Sequence, residues 1–271
     1  MLTSAKGETI EVDGIKTYYI KAGTGEPLLL IHGASPGACS LVNWGLNIDP
    51  LAATGFTVIA FDQPGFGYSD HPKDYSLEYR VAHAKSFIDR LNLDHFYVIG
   101  NSQGAYIAAR IALEDPRTKK LVLVSSGTLA PPGSAQSQAL SKEHAERLRQ
   151  YTPSLENSRQ LTRGTLFHEE LVTDELVQLR YEMSIGKNLA AQAERRKASP
   201  PKPIREEIHN LKVKTLILWG KNDGGASVER GLALFQLIPG AELHIFDESA
   251  HWVQWDQAPR FHKLVTDFLT N

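Results

Sequence analysis

Gly100-Asn101-Ser102-Gln103-Gly104 sets a serine between two glycines, after the apolar run His95-Phe96-Tyr97-Val98-Ile99 and before the alanine-rich run 105–113. That order reads as strand, sharp turn and helix, the arrangement of a G-x-S-x-G nucleophile elbow. The glycines let the backbone fold where a side chain would clash. The hydroxyl then stands above a helix N-terminus, where negative charge is favoured. A serine hydroxyl is a poor nucleophile until a base removes its proton, and the usual base is a histidine oriented by a carboxylate. Behind such an elbow the acid and then the base follow in chain order.

Of the ten histidines, His251 stands apart, because a strand-like run at 241–246 leads to it through Asp247-Glu248-Ser249-Ala250 and a helical pattern follows it. His244 falls within that run, and the remaining histidines fall in surface-like or helical contexts. The acid is expected at the end of the preceding strand, where Leu218-Trp219-Gly220-Lys221-Asn222-Asp223 supplies Asp223. Asp247 is a rival for that role, although its place after a strand also suits a turn. An oxyanion hole needs two backbone N–H groups. Gln103, the residue after the nucleophile, gives one, and Ala34 in the loop His32-Gly33-Ala34-Ser35-Pro36-Gly37 gives the other. His32 remains a weaker alternative for the base, and Asp62 suits a role in fixing the turn Gln63-Pro64-Gly65.

The elements that must position these residues alternate along the chain. Strand patterns fall at 9–12, 16–20, 27–31, 57–61, 95–99, 120–124, 213–219 and 241–246, and helical patterns at 77–91, 103–113, 228–237 and 259–269. Continuous apolar strands separated by amphipathic helices predict a mostly parallel central sheet with helices on both faces. The stretch from 129 to 205 breaks the alternation. It is bounded by Ala130-Pro131-Pro132-Gly133 and Pro200-Pro201-Lys202-Pro203, and is rich in helix formers between them. Leu161, Leu166, Phe167, Leu171, Leu176 and Tyr181 give it apolar contacts that a disordered linker lacks. The expected organisation is a core at 1–128, an inserted helical cap at 129–205, and the rest of the core at 206–271.

Composition excludes several function classes. A chain of 271 residues with 42% hydrophobic and 22% charged residues can bury a large core without staples. A formal net charge of −2 gives no basic excess for nucleic acid or an anionic membrane. Cys39 is the only cysteine, so neither an internal disulfide nor a cysteine metal site is expected, and a reducing cytoplasm fits. No signal peptide or membrane span is evident. No metal or organic cofactor is expected; the expected partner is a small-molecule substrate, and a homo-oligomer is left open.

The loop at 32–37, the turn Asp62-Gln63-Pro64-Gly65-Phe66-Gly67 and the serine elbow together resemble the α/β-hydrolase superfamily, in a match that spans both ends of the chain. A narrower resemblance is to the meta-cleavage product hydrolases, serine enzymes that cut carbon–carbon bonds in aromatic degradation. It rests on Gly100-Asn101-Ser102, on His32-Gly33-Ala34-Ser35-Pro36-Gly37-Ala38, and above all on His251-Trp252-Val253-Gln254-Trp255-Asp256. The resemblance implies an α/β-hydrolase fold and a 2-hydroxy-6-oxo-hexa-2,4-dienoate substrate. It also implies a cap helix carrying a substrate-binding arginine, here Arg180 after Leu171-Val172-Thr173-Asp174. Read alone, an arginine on a charged helix is more often solvated beside a carboxylate. On the family reading, Arg180, Asn101 and Ser35 hold the carboxylate end, while Phe167 and Trp252 line the apolar side. Two departures stand out: Ala105 follows Gly104 where the family repeats glycine, and Gly224-Gly225-Ala226-Ser227 lacks the family's aromatic residue and proline. A carboxylesterase or lactonase with the same three residues is the alternative activity, and a hydrolase-like receptor with little turnover is a third reading.

Overall fold

In the computed structural model, which describes residues 2–271, one eight-stranded sheet organises the chain in the order β1-β2-β4-β3-β5-β6-β7-β8. The strands are β1 (Gly7–Val12), β2 (Ile15–Ala22), β3 (Glu26–Ile31), β4 (Phe56–Phe61), β5 (Phe96–Asn101), β6 (Thr118–Val124), β7 (Lys214–Gly220) and β8 (Glu242–Phe246). The two N-terminal strands pair antiparallel, and every pairing from β4 to β8 is parallel. Successive side chains of a strand face opposite sides, and the apolar runs use both. Leu29 and Ile31 join one core with Phe87 and Ile107, while Leu28 and Leu30 join the other with Trp44 and Phe261. Each such fully buried side chain contributes roughly 1.5–3 kcal/mol.

The helices of the first half are α1 (Ser40–Trp44), α2 (Ile48–Ala52), α3 (Leu77–Arg90) and α4 (Gln103–Glu114). Between β6 and β7 come α5 (Ala135–Gln150), α6 (Leu155–Arg163), α7 (Asp174–Glu182) and α8 (Lys187–Lys197). The chain closes with α9 (Val228–Leu237), the short α10 (Val253–Asp256) and α11 (Ala258–Thr270). Serine and threonine caps start three of the four helices of the 135–197 stretch: the Ser134, Ser154 and Thr173 hydroxyls accept the N–H groups of Ser137, Asn157 and Leu176. A third apolar cluster seats this stretch on the core, joining Leu166, Leu176 and Met183 to Cys39, Val42, Trp252 and Trp255. Helices α1 and α2 are absent from the expected elements; both are five residues long, too short for a periodicity signal.

Strand register is what gathers the candidate residues. Ile31 pairs with Phe61 and Gly100, Asn101 with Val124, Val124 with Leu218, and Gly220 with Phe246. The carboxyl ends of the parallel strands are therefore level, and the segments that follow β3, β5, β7 and β8 emerge on one edge. That edge is where open α/β sheets hold their ligands.

Candidate active site

Ser102 sits at the turn between β5 and α4 with φ 58° and ψ −121°, a conformation that costs an L-residue free energy and persists only when its surroundings impose it. Here the surroundings are tight. A Cβ on Gly100 would lie 2.3 Å from the Gly104 carbonyl oxygen, and one on Gly104 would lie 2.2 Å from that of Ile31. The Ser102 N–H donates to the Val124 carbonyl at 2.9 Å, and the Ser126 hydroxyl donates to the Ser102 carbonyl at 2.7 Å. Ser102 occupies the N-cap position of α4, but its side chain makes no capping bond.

Asp223 and His251 meet on the same edge. The His251 Nδ1 is 2.8 Å from Asp223 Oδ2, and the other carboxylate oxygen accepts the N–H groups of Gly225 and Ala226 at 2.8 and 2.9 Å. The loop that lacks an aromatic residue and proline thus serves as the carboxylate's cradle. Burial works against a charged imidazole in His251, yet the charge and hydrogen bond of Asp223 outweigh it and raise the pKa above its ordinary value. The His251 carbonyl accepts an N–H from the Asn101 amide at 3.4 Å, which ties the base loop to the residue before Ser102. No hydrogen bond joins His251 to the Ser102 hydroxyl in this structure, so the relay spans two of its three members; such links often close only when substrate binds. Asp247 is exposed and pairs with Lys221 at 3.1 Å, away from the imidazole.

The loop after β3 lies against the elbow: a Cβ on Gly33 would fall 3.1 Å from that of Ser102. Ala34 and Gln103 line one cavity, and among the described residues nothing accepts a hydrogen bond from either backbone N–H. His32 braces this loop. Its Nε2 accepts the Gln63 N–H at 3.0 Å and its Nδ1 lies 2.6 Å from the Gly33 carbonyl oxygen, so both ring nitrogens are committed. Burial pushes its pKa down to about 3, and the ring is a neutral strut. Asp62 fixes the neighbouring turn by accepting the Ser40 N–H and hydroxyl at 2.7 Å and the Tyr68 N–H at 2.9 Å.

Arg180, on α7, is fully buried. Its guanidinium donates to the Pro36 carbonyl at 3.2 Å, the Thr162 hydroxyl at 3.3 Å and the Ser35 hydroxyl at 2.9 Å, and it lies over the Trp252 ring 5.0 Å from the centroid. Among the described residues no carboxylate pairs with it, so the solvated, paired arginine of an ordinary helix surface is not what the fold contains. Burial lowers its pKa to about 10. A desolvated cation without a counter-charge is costly.

Asn101 is fully buried; its Oδ1 accepts from the Asn43 amide and its NH2 donates to the Val124 and His251 carbonyls, so it braces the elbow. Phe167 is 45% exposed and packs edge-on against His168, while its neighbour Leu166 is buried. Trp252 is buried between Arg180 and Trp255. Two further residues belong to the site. Asp256 accepts the N–H groups of Ala250, Phe167 and His168 at 2.8, 2.9 and 3.1 Å, clasping the loop before His251 to the 135–197 stretch. His144, on α5, holds its ring 6.5 Å from that of His251 and borders a cavity of about 250 Å³ with Leu148, Tyr151 and Leu161. Burial, with a smaller push from the charge of His251, lowers the His144 pKa to about 4. Nothing local in the sequence marks His144, because its role depends on how a distant helix packs.

A family model described as alpha/beta hydrolase fold matches residues 26–258. The chain is 36% identical to a 2-hydroxy-6-oxo-6-phenylhexa-2,4-dienoate hydrolase of Burkholderia cepacia, over 99% of this chain and 97% of that protein. It is 34% identical to a 2-hydroxy-6-oxononadienedioate/2-hydroxy-6-oxononatrienedioate hydrolase of Comamonas testosteroni, with the same coverage. Among solved structures, the meta-cleavage product hydrolase of Pseudomonas fluorescens IP01 superposes with a TM-score of 0.87 at 33% identity, covering 97% of both chains.

Proposed function

The chain belongs to the α/β-hydrolase family and, within it, to the meta-cleavage product hydrolases; on that premise we propose that it is a serine-dependent carbon–carbon bond hydrolase. Its substrate is a 2-hydroxy-6-oxo-hexa-2,4-dienoate, and its products are 2-hydroxypenta-2,4-dienoate and a carboxylic acid. The observation that carries the reading is Arg180, a buried guanidinium without a carboxylate partner beside the Ser102 edge. An ester hydrolase has no need of such a group, whereas a dienoate brings the missing anion.

In the proposed mechanism, Arg180 and the Ser35 hydroxyl hold the substrate carboxylate, since a guanidinium fork matches a planar carboxylate. Cleavage first needs an electron sink, which ketonisation of the dienol supplies. His251, oriented by Asp223, moves that proton. Ser102 then gives its proton to His251 and attacks the 6-oxo carbon, and the resulting oxyanion accepts hydrogen bonds from the Ala34 and Gln103 N–H groups. Collapse breaks the bond between C5 and C6, expels the dienolate carbon, which is protonated, and leaves an acyl group on Ser102. A water deprotonated by His251 hydrolyses that acyl-serine to the acid. Asn101 and Asp256 act as positioning residues. The partner is a small molecule and the proposed compartment is the cytoplasm, a reading supported by the single, buried cysteine.

A substrate panel tests the proposal. Disappearance of dienoate absorbance over many turnovers, with little ester hydrolysis, is the expected result. Rapid turnover of simple esters or lactones with the dienoate untouched would replace it with the esterase reading.

A further inference from the structure

Helix α5 is fastened to the segment that carries the acid, and the fastening is polar. Ser134, Ser137, Ser141 and His144 fall three, four and three residues apart, on one face of the helix. The Ser134 hydroxyl donates to Glu229 Oε1 at 2.7 Å, and the Ser137 and Ser227 hydroxyls meet at 2.6 Å. The Ser141 hydroxyl donates to the Gly225 carbonyl at 2.9 Å and accepts from the Arg230 guanidinium at 3.1 Å. Ser137 is the only buried residue of α5, and among the described residues none of the helix's side chains joins the three apolar clusters. His144 completes the row beside the acid–base pair. Its ring lies in the hollow left by Gly225: a Cβ there would fall 3.0, 3.1 and 3.2 Å from Cδ2, Cγ and Nε2 of the imidazole. Residues 224–227 bring no aromatic side chain of their own. The same ring stands 6.5 Å from that of His251, inclined by 47°, and borders the cavity of about 250 Å³. It makes no hydrogen bond among the described residues, so it acts by occupying space.

The Asp223 side chain is fully buried, whereas that of His251 keeps 18% of its surface. The acid side of the pair is closed, and the imidazole side is the one a neighbour can still cover or bare. We propose that His144 is a positioning residue of the acid–base pair: seated at Gly225 and latched there by Ser141, it shields the His251 imidazole from solvent entering through the cap cavity. Gly225 is the joint of this arrangement, because its N–H donates to Asp223 while its carbonyl accepts from Ser141. The consequence is a base that works at lower pH. Burial is the largest single influence on the His251 pKa and lowers it, against the attraction of Asp223, and the charge of Arg180 on α7 lowers it further. The charged and titratable groups near His144 itself are His251, Asp223 and Arg180, with Arg147 on its own helix. An imidazole kept drier becomes neutral at a lower pH, and only the neutral form can accept the Ser102 proton. The inference rests on the proposed proton transfer from Ser102 to His251, and not on the identity of the substrate.

NMR titration of the His251 imidazole reads the shielding without any substrate. His144→Ala should raise the His251 pKa by at least about half a unit, because water then reaches the ring. The acidic limb of kcat/KM for the dienoate should move up with it. His144→Phe puts an aromatic ring back at Gly225 and should return both readings to the wild-type position. A histidine with a merely structural role would lower the melting temperature in His144→Ala and leave the His251 titration where it was. A His251 titration unmoved by His144→Ala, or moved as far by His144→Phe, overturns the proposal. If His144→Ala does not fold, Ser141→Ala, which cuts the latch and spares the ring, decides in its place: a raised His251 pKa upholds the shield and an unchanged one overturns it. If no dienoate is consumed the cleavage reading fails, and the NMR titration still decides the shield.

Discussion

Replacing Arg180 by methionine separates a ligand-binding arginine from a structural one, because the two roles predict different pairs of numbers. The lowering of its pKa from 12.5 to about 10 corresponds to a burial cost of roughly 3 kcal/mol for the charged form. Against that stand three hydrogen bonds to neutral oxygens and the contact with Trp252, together of similar size at about 1 kcal/mol each. Methionine relieves the first and forfeits the bonds, but fills the volume and keeps a sulfur contact with the indole. The net stability change is near zero, as is common when a buried charge gives way to an apolar side chain. The melting temperature should move by less than about 4 °C. Binding should not be so forgiving. Two charge-assisted hydrogen bonds to a carboxylate, at about 1.5 kcal/mol or more each, translate to a rise in KM for the dienoate of roughly 100-fold, with a smaller change in kcat because the anchored carboxylate does not react. Calorimetric unfolding and steady-state loss of dienoate absorbance measure the two quantities. A fall in melting temperature of more than about 10 °C, or an unchanged KM, would refute the assignment.

Three further outcomes follow from the same geometry. Since Asp223 raises the pKa of His251 above its ordinary 6.5 and the base works only when neutral, kcat/KM should climb with pH through a value above 6.5. Asp223→Asn should lower that limb and cut kcat by roughly 10³–10⁴-fold, and a pH–rate profile unaffected by the substitution would contradict this. His32 stays neutral in the fold down to about pH 3 while the unfolded chain takes up a proton near 6.5. Its contribution is whole above that pH and is lost at roughly 1.4 kcal/mol per unit as pH falls. The buried His83 and His144 act in the same direction, so urea unfolding at pH 5 should give a stability lower than at pH 7 by at least about 2 kcal/mol, and equal values would exclude the neutral-strut account. Asp256→Ala removes the acceptor of three N–H groups and should cost roughly 2–4 kcal/mol together with a fall in kcat, both read against the wild type by denaturant titration and turnover; an unchanged kcat would show that the clasp does not position His251.

The elbow was legible because its signal is local: two glycines, a serine and the strand and helix on either side lie within twenty residues. Asp223 and His251 were legible at one remove, since each follows a strand and parallel register levels the strand ends. What could not be read is where long side chains travel after leaving their helix. Arg180 was named only through the family resemblance; it sits on a charged helix, and its guanidinium runs inward because of how α7 packs on the core. His144 depends on the packing of α5 in the same way. Asn101 was named on the family resemblance; what no local pattern carries is that the level strand ends place Val124 and the His251 loop against its amide. Phe167 was named on the family resemblance, and its 45% exposure beside the buried Leu166 is set by how the segment after α6 turns over the core, which no local pattern carries.

Stopped-flow mixing of a dienoate with the wild-type protein and with Ser102→Ala tests most directly whether the hydroxyl at the strained turn breaks the carbon–carbon bond. The wild type should consume the compound through many turnovers. The alanine variant should bind it, shown by a perturbed absorbance spectrum, and cleave it at least 10³-fold more slowly. Cleavage by Ser102→Ala at a rate close to that of the wild type would mean that the nucleophile lies elsewhere.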